Sequence, residues 1–563
     1  MELPFIKWRS LFFSSPISLS APRTLWCCET ASGPYMKITT GAGEQRFAVL
    51  FLALLAFFSV ALNFLFQGNI GFNLADEGFL WYGAIQTSMG YVPLRDFQSY
   101  DPGRYYWATA WTPLFGNGII GLRLALAVFQ SVGLFCGILV LRKVMSGRWL
   151  LLFASFLLLA WMFPRHKLFE HSLTMGAVYV GVCLLESPSL GRYFLAGVFV
   201  GFAAFFGRNH GLYNGLAFLL LILLNQYKFT HHLLVKRLGL WLFGILVGYA
   251  PMLLMFAVIP GFFDAFLEGI YFLLRQGATN LFLPIPWPWV GENSTPDWFA
   301  LAAHFFIGCE FLLILVFYAA AFLLVLLYRK GEAEQQAVLI ASTCVGISYA
   351  HYAFSRADLS HLAQSIHPLL LGALALPSFL GVQRKEYWTK ITLCFLLAFS
   401  VVPLYLGTPF FATCGLSGKN CVRSPVASDH LWVQNEQRLF LEKIETVVAQ
   451  CVGPEEGLLL APHWPGLYCI LRRQSPVRQT YFLFPETTKN EQKMIGDLIA
   501  HNVRWVILAD VALDGRDELR FRYTHKLMWQ YLMREFEPVE NGEIAPQYQL
   551  LRRRPSAKTA SDQ

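Results

Sequence analysis

The run from Phe47 to Phe66, FAVLFLALLAFFSVALNFLF, contains no charge and is as long as the roughly 20 residues one helix needs to cross a bilayer. Blocks of this kind recur down the chain, and no water-soluble core could bury them all. The 563 residues are 55% hydrophobic and only 14% charged, with mean hydropathy +0.46, which excludes an ordinary soluble enzyme and predicts a polytopic membrane protein. The net charge of +8 is informative by location. Many Lys and Arg lie in short loops between apolar blocks and do not form a basic face on a soluble domain, so no nucleic-acid partner is expected.

After the anchor that follows Arg46, hydropathy places spans near 119–141, 149–163, 171–186, 193–207, 212–226, 238–258, 300–328, 336–353, 366–382 and 388–407, about eleven in all. Several are short for a straight span and must borrow polar flanks or tilted neighbours. Alternate loops carry Arg142, Lys143 and Arg148; Arg192; Lys228, Lys236 and Arg237; Arg329 and Lys330; and Arg384, Lys385 and Lys390. The positive-inside rule makes these cytoplasmic and puts residues 408–563 outside.

Three segments are expected. Residues 1–45 read as a poorly ordered leader with the pair Cys27-Cys28, and Met36 is an alternative start. Residues 46–407 form the membrane domain, with a first outer loop at 67–118. Residues 408–563 form a small α/β domain: strands at 457–461, 479–484, 503–508 and 548–551 alternate with helices near 489–501 and 525–536. An oxidising compartment permits a Cys414–Cys421 disulfide, with free thiols as the alternative there and at Cys451 and Cys469.

The unusual residues gather on the outer side. They are the loop ADEGFLWYGAIQTSMGYVPLRDFQSYDPGRYYW at 75–107, Arg165-His166-Lys167, Arg208-Asn209-His210, the segment Gly261–Trp298 with PIPWPW, and SRADLSHL at 355–362 followed by His367. Charges at span ends are costly unless paired or wet, so their convergence at one face points to a site. Asp76 and Glu77 open a predicted helix to Met89, stopped by Gly90, where the helix dipole favours ionised carboxylates.

The loop with its DE, PLRDF and YDPGRYYW segments resembles the first extracytoplasmic loop of GT-C membrane glycosyltransferases. The similarity is to the bacterial branch related to protein O-mannosyltransferases and lipid A aminoarabinose transferases. It implies a GT-C fold, an inner (cytoplasmic) membrane location in bacteria, and transfer of a sugar from a polyprenyl-phosphate donor to a hydroxyl acceptor. In that pattern Asp76 matches the catalytic base and Glu77 its neighbour. SRADLSHL resembles a late Arg-x-Asp-x-x-His motif, with Arg356, Asp358 and His361 expected in a loop or broken helix.

With the convergence of these clusters at one face, the resemblance makes Asp96, Asp101, Arg104, Arg165, Lys167, Arg208, His210, Arg356, Asp358 and His361 candidates for binding donor phosphate or substrate. Cations there would stabilise a phosphate leaving group. Where the aminoarabinose transferases have Lys-Pro-Pro, this chain has Asp101-Pro102-Gly103. Either another cation replaces that lysine, or acids such as Asp76 and Asp101 hold a divalent metal, Mg or Mn; no cofactor is otherwise indicated.

Each candidate has a structural alternative. Asp76 and Glu77 suit a helix cap and first turn, Asp96 and Asp101 suit turns beside Pro93 and Pro102, Arg165 and Lys167 could be a simple exception to the charge rule, and Arg208 could snorkel. No zinc spacing, P-loop or GxGxxG after a strand is present, His231-His232 lies on the cytoplasmic side, and Asn293-Ser294-Thr295 is an outer sequon. A lipid-linked donor therefore fits better than a nucleotide-linked one. The rival readings are a transporter or flippase of lipid-linked glycans, against which the chain has no visible internal repeat, and an oligosaccharide ligase or polymerase.

Overall fold

A computed structural model of the chain describes residues 42–228, 233–290, 298–327 and 333–555. The leader with Met36 and Cys27-Cys28, His231-His232, the 293–295 sequon, and Arg329 with Lys330 lie outside the described residues. Of the first unit, Met1–Ala48, the described residues are the opening turns of one helix, and Val49–Gln563 form a second unit that holds both the helical bundle and the C-terminal sheets.

A backbone in hydrocarbon must satisfy its own polar groups, and the apolar blocks accordingly become helices. In chain order these are α1 Ala42–Gln67, the shorter α2 Asp76–Ser88 and α3 Pro102–Phe115, then α4 Ile119–Val144, α5 Arg148–Ala160, α6 Leu168–Glu186, α7 Leu190–Phe206, α8 Arg208–Lys228 and α9 Leu234–Gly248. There follow α10 Ala250–Val258, α11 Phe262–Gln276, α12 Trp298–Leu327, α13 Ala333–Ser355, α14 Leu359–Ser365, α15 His367–Phe379, α16 Lys385–Gly407 and α17 Pro409–Cys414. The chain is a polytopic α-helical membrane protein.

Among the described residues six helices are long and apolar enough to cross a membrane, or up to eight if each bent pair is one span. That is fewer than the expected eleven or so. The expected spans 149–163 and 193–207 are the short helices α5 and α7, and 212–226 lies in α8, where His210, Asn214 and Asn225 are buried polar residues. The bent pairs α9–α10 (54°) and α14–α15 (50°) each have a proline at the start of the second helix, Pro251 and Pro368. A proline there removes a backbone donor and crowds the preceding turn.

Helices α7 and α9 meet through two small-residue ridges, Gly197-x-x-x-Gly201 and Gly244-x-x-x-Gly248. A methyl on Gly197 would lie 2.0 Å from the Trp241 carbonyl, and one on Gly248 2.0 Å from that of Val198. Glycine is what lets these backbones touch. Polar pairs then sort into two ends of the bundle. Lys143–Glu186 (2.7 Å) and Lys228–Gln336 (3.3 Å) tie one end, while Arg104–Glu170 and Arg208–Asp101 tie the other.

The C-terminal part begins with the antiparallel hairpin β1 Cys421–Val426 and β2 Asp429–Gln434, then α18 Asn435–Cys451, β3 Leu458–Ala461, α19 Gly466–Ile470, α20 Thr488–Ala500 and β4 Trp505–Ala509. It ends with α21 Phe521–Thr524, α22 Lys526–Glu535, β5 Phe536–Ala545 and β6 Tyr548–Arg553. The second sheet has order β3-β4-β6-β5, with β3 and β4 parallel and the other pairs antiparallel. Strands β3 and β4 are buried along their whole length, as continuous apolar runs such as LLLA and WVILA require. Cys414 and Cys421 are disulfide-bonded with Cα atoms 4.6 Å apart, while Cys451 and Cys469 are free.

The expected strand at 479–484 does not form. Its backbone is engaged by the first loop instead: the N–H groups of Thr480 and Tyr481 donate to Gln98 Oε1 at 3.0 and 2.9 Å, and Gln98 N donates to the Arg478 carbonyl at 2.8 Å. This is one of several ties between loop and domain. Trp432 exchanges hydrogen bonds with Asn69 and Gly71 at 2.8 and 2.7 Å, Gln437 donates to the Phe72 carbonyl at 2.8 Å, and Gly466 N donates to the Leu74 carbonyl at 3.0 Å. A methyl on Gly78 would come within 2.6 Å of the Gly466 backbone, so only glycine allows α2 to lie this close to α19.

Candidate functional site

Helix α2 starts where the sequence predicts, and its first two residues do different things. Glu77 points inward. Arg123 of α4 donates to both its oxygens at 2.7 Å and uses its remaining N–H groups on the Gly68 and Gly71 carbonyls. Burial alone would raise the Glu77 carboxyl, but the charge and hydrogen bonds of Arg123, with Arg165 and His166 beyond, bring it down to about 2. Asp76 is half-buried, with 40% of its side chain exposed. Its Oδ1 accepts from the Tyr481 hydroxyl at 3.2 Å and its Oδ2 lies 3.9 Å from His166 Nε2. Asn73 caps the turn by accepting from the backbone N–H groups of Ala75 and Asp76.

From Tyr481 the aromatic contacts run inward: Tyr481 against Phe79 (5.8 Å), then Phe79 edge-on to Tyr100 (5.1 Å). Over the Tyr100 ring stand two cations, Lys167 at 4.4 Å and Arg104 at 4.8 Å. Both converge on Glu170 of α6, Arg104 at 2.8 Å and Lys167 at 3.8 Å. Arg104 also donates through Nε to the Phe206 carbonyl at 2.7 Å. Lys167 is the looser of the two, with Asp76 within electrostatic reach. One Glu170 oxygen and His210 Nε2 are buried without a hydrogen-bond partner among the described residues. His210 Nδ1 meets the Tyr349 hydroxyl at 3.0 Å.

The consecutive residues Arg165, His166 and Lys167 diverge because they form a 3-10 turn before α6. His166 faces Asp76, Lys167 faces Tyr100, and Arg165 turns away to donate to the Gly68 and Ile70 carbonyls. Asp101 stands at the N-cap of α3 but caps a different helix: it accepts from the backbone N–H of Arg208, the first residue of α8, at 2.9 Å, and pairs with Arg208 Nε at 2.9 Å. Asp96 closes a local turn by accepting from Val92 N at 2.7 Å and pairs with Arg95 at 2.7 Å.

Arg356, Asp358 and His361 lie at the break between α13 and α14. Asp358 accepts from Arg356 at 2.7 Å and from the backbone and ring of His361 at 2.9 and 2.8 Å, so one carboxylate gathers the motif. The far side of Arg356 is bound to both oxygens of Asp514, at 2.7 Å each. His463 lies beside Tyr481, ring centroids 6.2 Å apart, with both ring nitrogens buried and unpartnered among the described residues. Burial pushes its imidazole down to about 4 against the opposing pull of Asp514 and Asp76.

Sequence reading missed Arg123, Glu170, Tyr481, His463 and Asp514. A buried Glu-His pair opening an apolar span, Glu170-His171, was a usable signal, whereas nothing local marks Tyr481. Among the described residues no group of three or more His, Cys, Asp or Glu side chains is placed to hold a metal ion.

No family model and no curated protein matches the chain. Among solved structures it is similar to ArnT from Cupriavidus metallidurans in the apo state, at 13% identity and a TM-score of 0.47, over 91% of this chain and 98% of that one.

Proposed function

We propose that the protein is an inverting GT-C type glycosyltransferase that moves a sugar from a polyprenyl-phosphate donor to a hydroxyl acceptor, at the extracytoplasmic face of a bacterial inner membrane. The observation that carries this reading is Asp76: a part-exposed carboxylate oriented by Tyr481, a short aromatic path from the Lys167 ammonium. A base and a phosphate-binding cation at one end of a membrane bundle are what such a donor needs, because its tail stays in the bilayer and its phosphate at the interface.

Asp76 takes the proton of the acceptor hydroxyl as that oxygen bonds to the anomeric carbon. The bond from that carbon to the phosphate oxygen breaks on the opposite face, and polyprenyl phosphate leaves with its new charge held by Lys167. Attack from the far face inverts the configuration. Arg104, Arg208 and Arg356 are already paired with carboxylates, and in this reading they hold the site in shape. Glu77, with both oxygens on Arg123, anchors α2 and does not handle protons.

The test supplies purified protein in lipid with radiolabelled polyprenyl-phosphate sugar, or with the same sugar linked to a nucleotide. The proposal expects release and transfer from the lipid-linked donor only, with inversion at the anomeric carbon. Lipid moved across the bilayer with its sugar intact would replace it with a transporter.

A further inference from the structure

Beside Arg123 lies a small cavity of about 40 Å³ between α1, α4, α5 and the start of α17, with neither Asp76 nor Glu77 in its lining. One part of its lining is polar: Asn63, Gln67, Gln130, Arg123 and Arg165. Another is apolar: Phe64, Leu126, Leu159, Met162, Phe163 and Leu168. Arg123 is neutralised by Glu77, whereas Arg165 has no carboxylate within ion-pair distance among the described residues and donates only to two backbone carbonyls. One positive charge is therefore left uncompensated at the cavity wall.

The amides are also incompletely used. Gln67 donates to Asn63 at 2.8 Å, but its own oxygen is buried with no partner among the described residues. Gln130 is 4% exposed and its side chain makes no hydrogen bond among them. A part-buried guanidinium with amide donors and one open acceptor fits a phosphate that carries a proton, and the apolar wall fits the first carbons of a chain attached to it. On α1 itself Leu62, Leu65 and Phe66 remain exposed, so this wall helix presents apolar surface suited to a bilayer.

We infer that this cavity is a second binding site, separate from the Asp76 centre, for the phosphate-monoester head of an amphiphile, with Arg165 as its charge partner and Gln67 and Gln130 as its hydrogen-bonding groups. The splitting of Arg165 from His166 and Lys167 is what gives the chain two cationic positions. The site does not depend on sugar transfer, and its test uses no sugar donor.

Full-length protein in detergent is titrated with dioleoyl phosphatidic acid, dioleoyl phosphatidylcholine and inorganic phosphate, and bound molecules are counted by native mass spectrometry. Phosphatidic acid is expected to bind about tenfold more tightly than phosphatidylcholine, and Arg165→Gln and Gln130→Leu are each expected to weaken one bound molecule per chain about tenfold, leaving any molecule held by Lys167 in place. Inorganic phosphate should compete only weakly. If it binds as tightly as phosphatidic acid, and the two variants abolish that, the site takes free phosphate and the amphiphile is overturned. Equal binding of the two lipids, or phosphatidic acid binding unchanged in Gln130→Leu, overturns the site itself. Gln130→Leu removes no hydrogen bond seen in the fold, so it decides the matter if Arg165→Gln does not fold.

Discussion

Tyr481 donates its hydroxyl to Asp76 Oδ1 at 3.2 Å across 405 positions of sequence. The C-terminal domain thus reaches the carboxylate on which the proposed chemistry rests. Tyr481 is held there by Gln98, whose single side chain accepts from two backbone N–H groups and donates to the Tyr481 carbonyl at 3.1 Å. The first loop positions the residue that in turn orients its own acid.

Tyr481→Phe is expected to lower kcat for transfer about tenfold, the worth of one hydrogen bond to a charged group, at little cost in stability. Gln98→Ala releases the whole 478–481 segment and should cost more. Steady-state kinetics with a thermal melt on each variant separates the two effects.

Arg123→Gln and Glu77→Gln each leave a buried charge without its partner and are expected to destabilise the fold by about 3–5 kcal/mol. The double replacement Arg123→Met with Glu77→Leu removes both charges and should recover much of that loss. Melting temperatures of wild type, the two single variants and the double variant check this.

The acid range divides into two windows. His463 falls from an ordinary 6.5 to about 4 in the fold, so between these values the unfolded chain binds more protons and stability falls as pH drops. Glu77 falls from 4.5 to about 2, so its stabilisation is full above 4.5 and is lost as pH falls towards 2. A melt series from pH 7 to 3 should decline in both ranges, and His463→Gln should lessen the upper decline without removing it, because burial also pushes His525 down, to about 3.

Arg356 joins the α13–α14 break to Asp514 of the C-terminal domain through two bonds of 2.7 Å. Arg356→Ala and Asp514→Ala should each increase proteolytic cleavage in the 510–520 region, and the double variant should do no more than either alone. Additive effects would mean that the pair is not the tie.

Much of this architecture is written in local pattern. The blocks from Phe47 onward announce helices, Gly90 ends α2 with a φ of 96°, and β3, β4 and β6 arise from short apolar runs close to where these occur. What sequence could not give is partnership. Arg104 and Arg208 read as free cations because their carboxylates, Glu170 and Asp101, lie 66 and 107 positions away, and beside its neighbour Asp358 nothing local shows that Arg356 also binds Asp514, 158 positions on. The 479–484 run has a strand's composition, but its backbone is taken by Gln98 and, at Phe482 N, by the Pro462 carbonyl at 3.0 Å, partners no local pattern announces. The glycine ridges of α7 and α9 were visible as GxxxG spacings, though neither says which helix it meets.

The measurement that bears most directly on Asp76 is the single-turnover rate of sugar transfer from a labelled polyprenyl-phosphate donor by Asp76→Asn, beside wild type, with donor binding measured on both. Asparagine keeps the size of the side chain and can still accept from Tyr481, but it cannot take a proton. The account predicts a rate at least 10²-fold lower with donor binding retained, as expected for loss of a general base. Transfer at the wild-type rate would contradict it and move the base elsewhere.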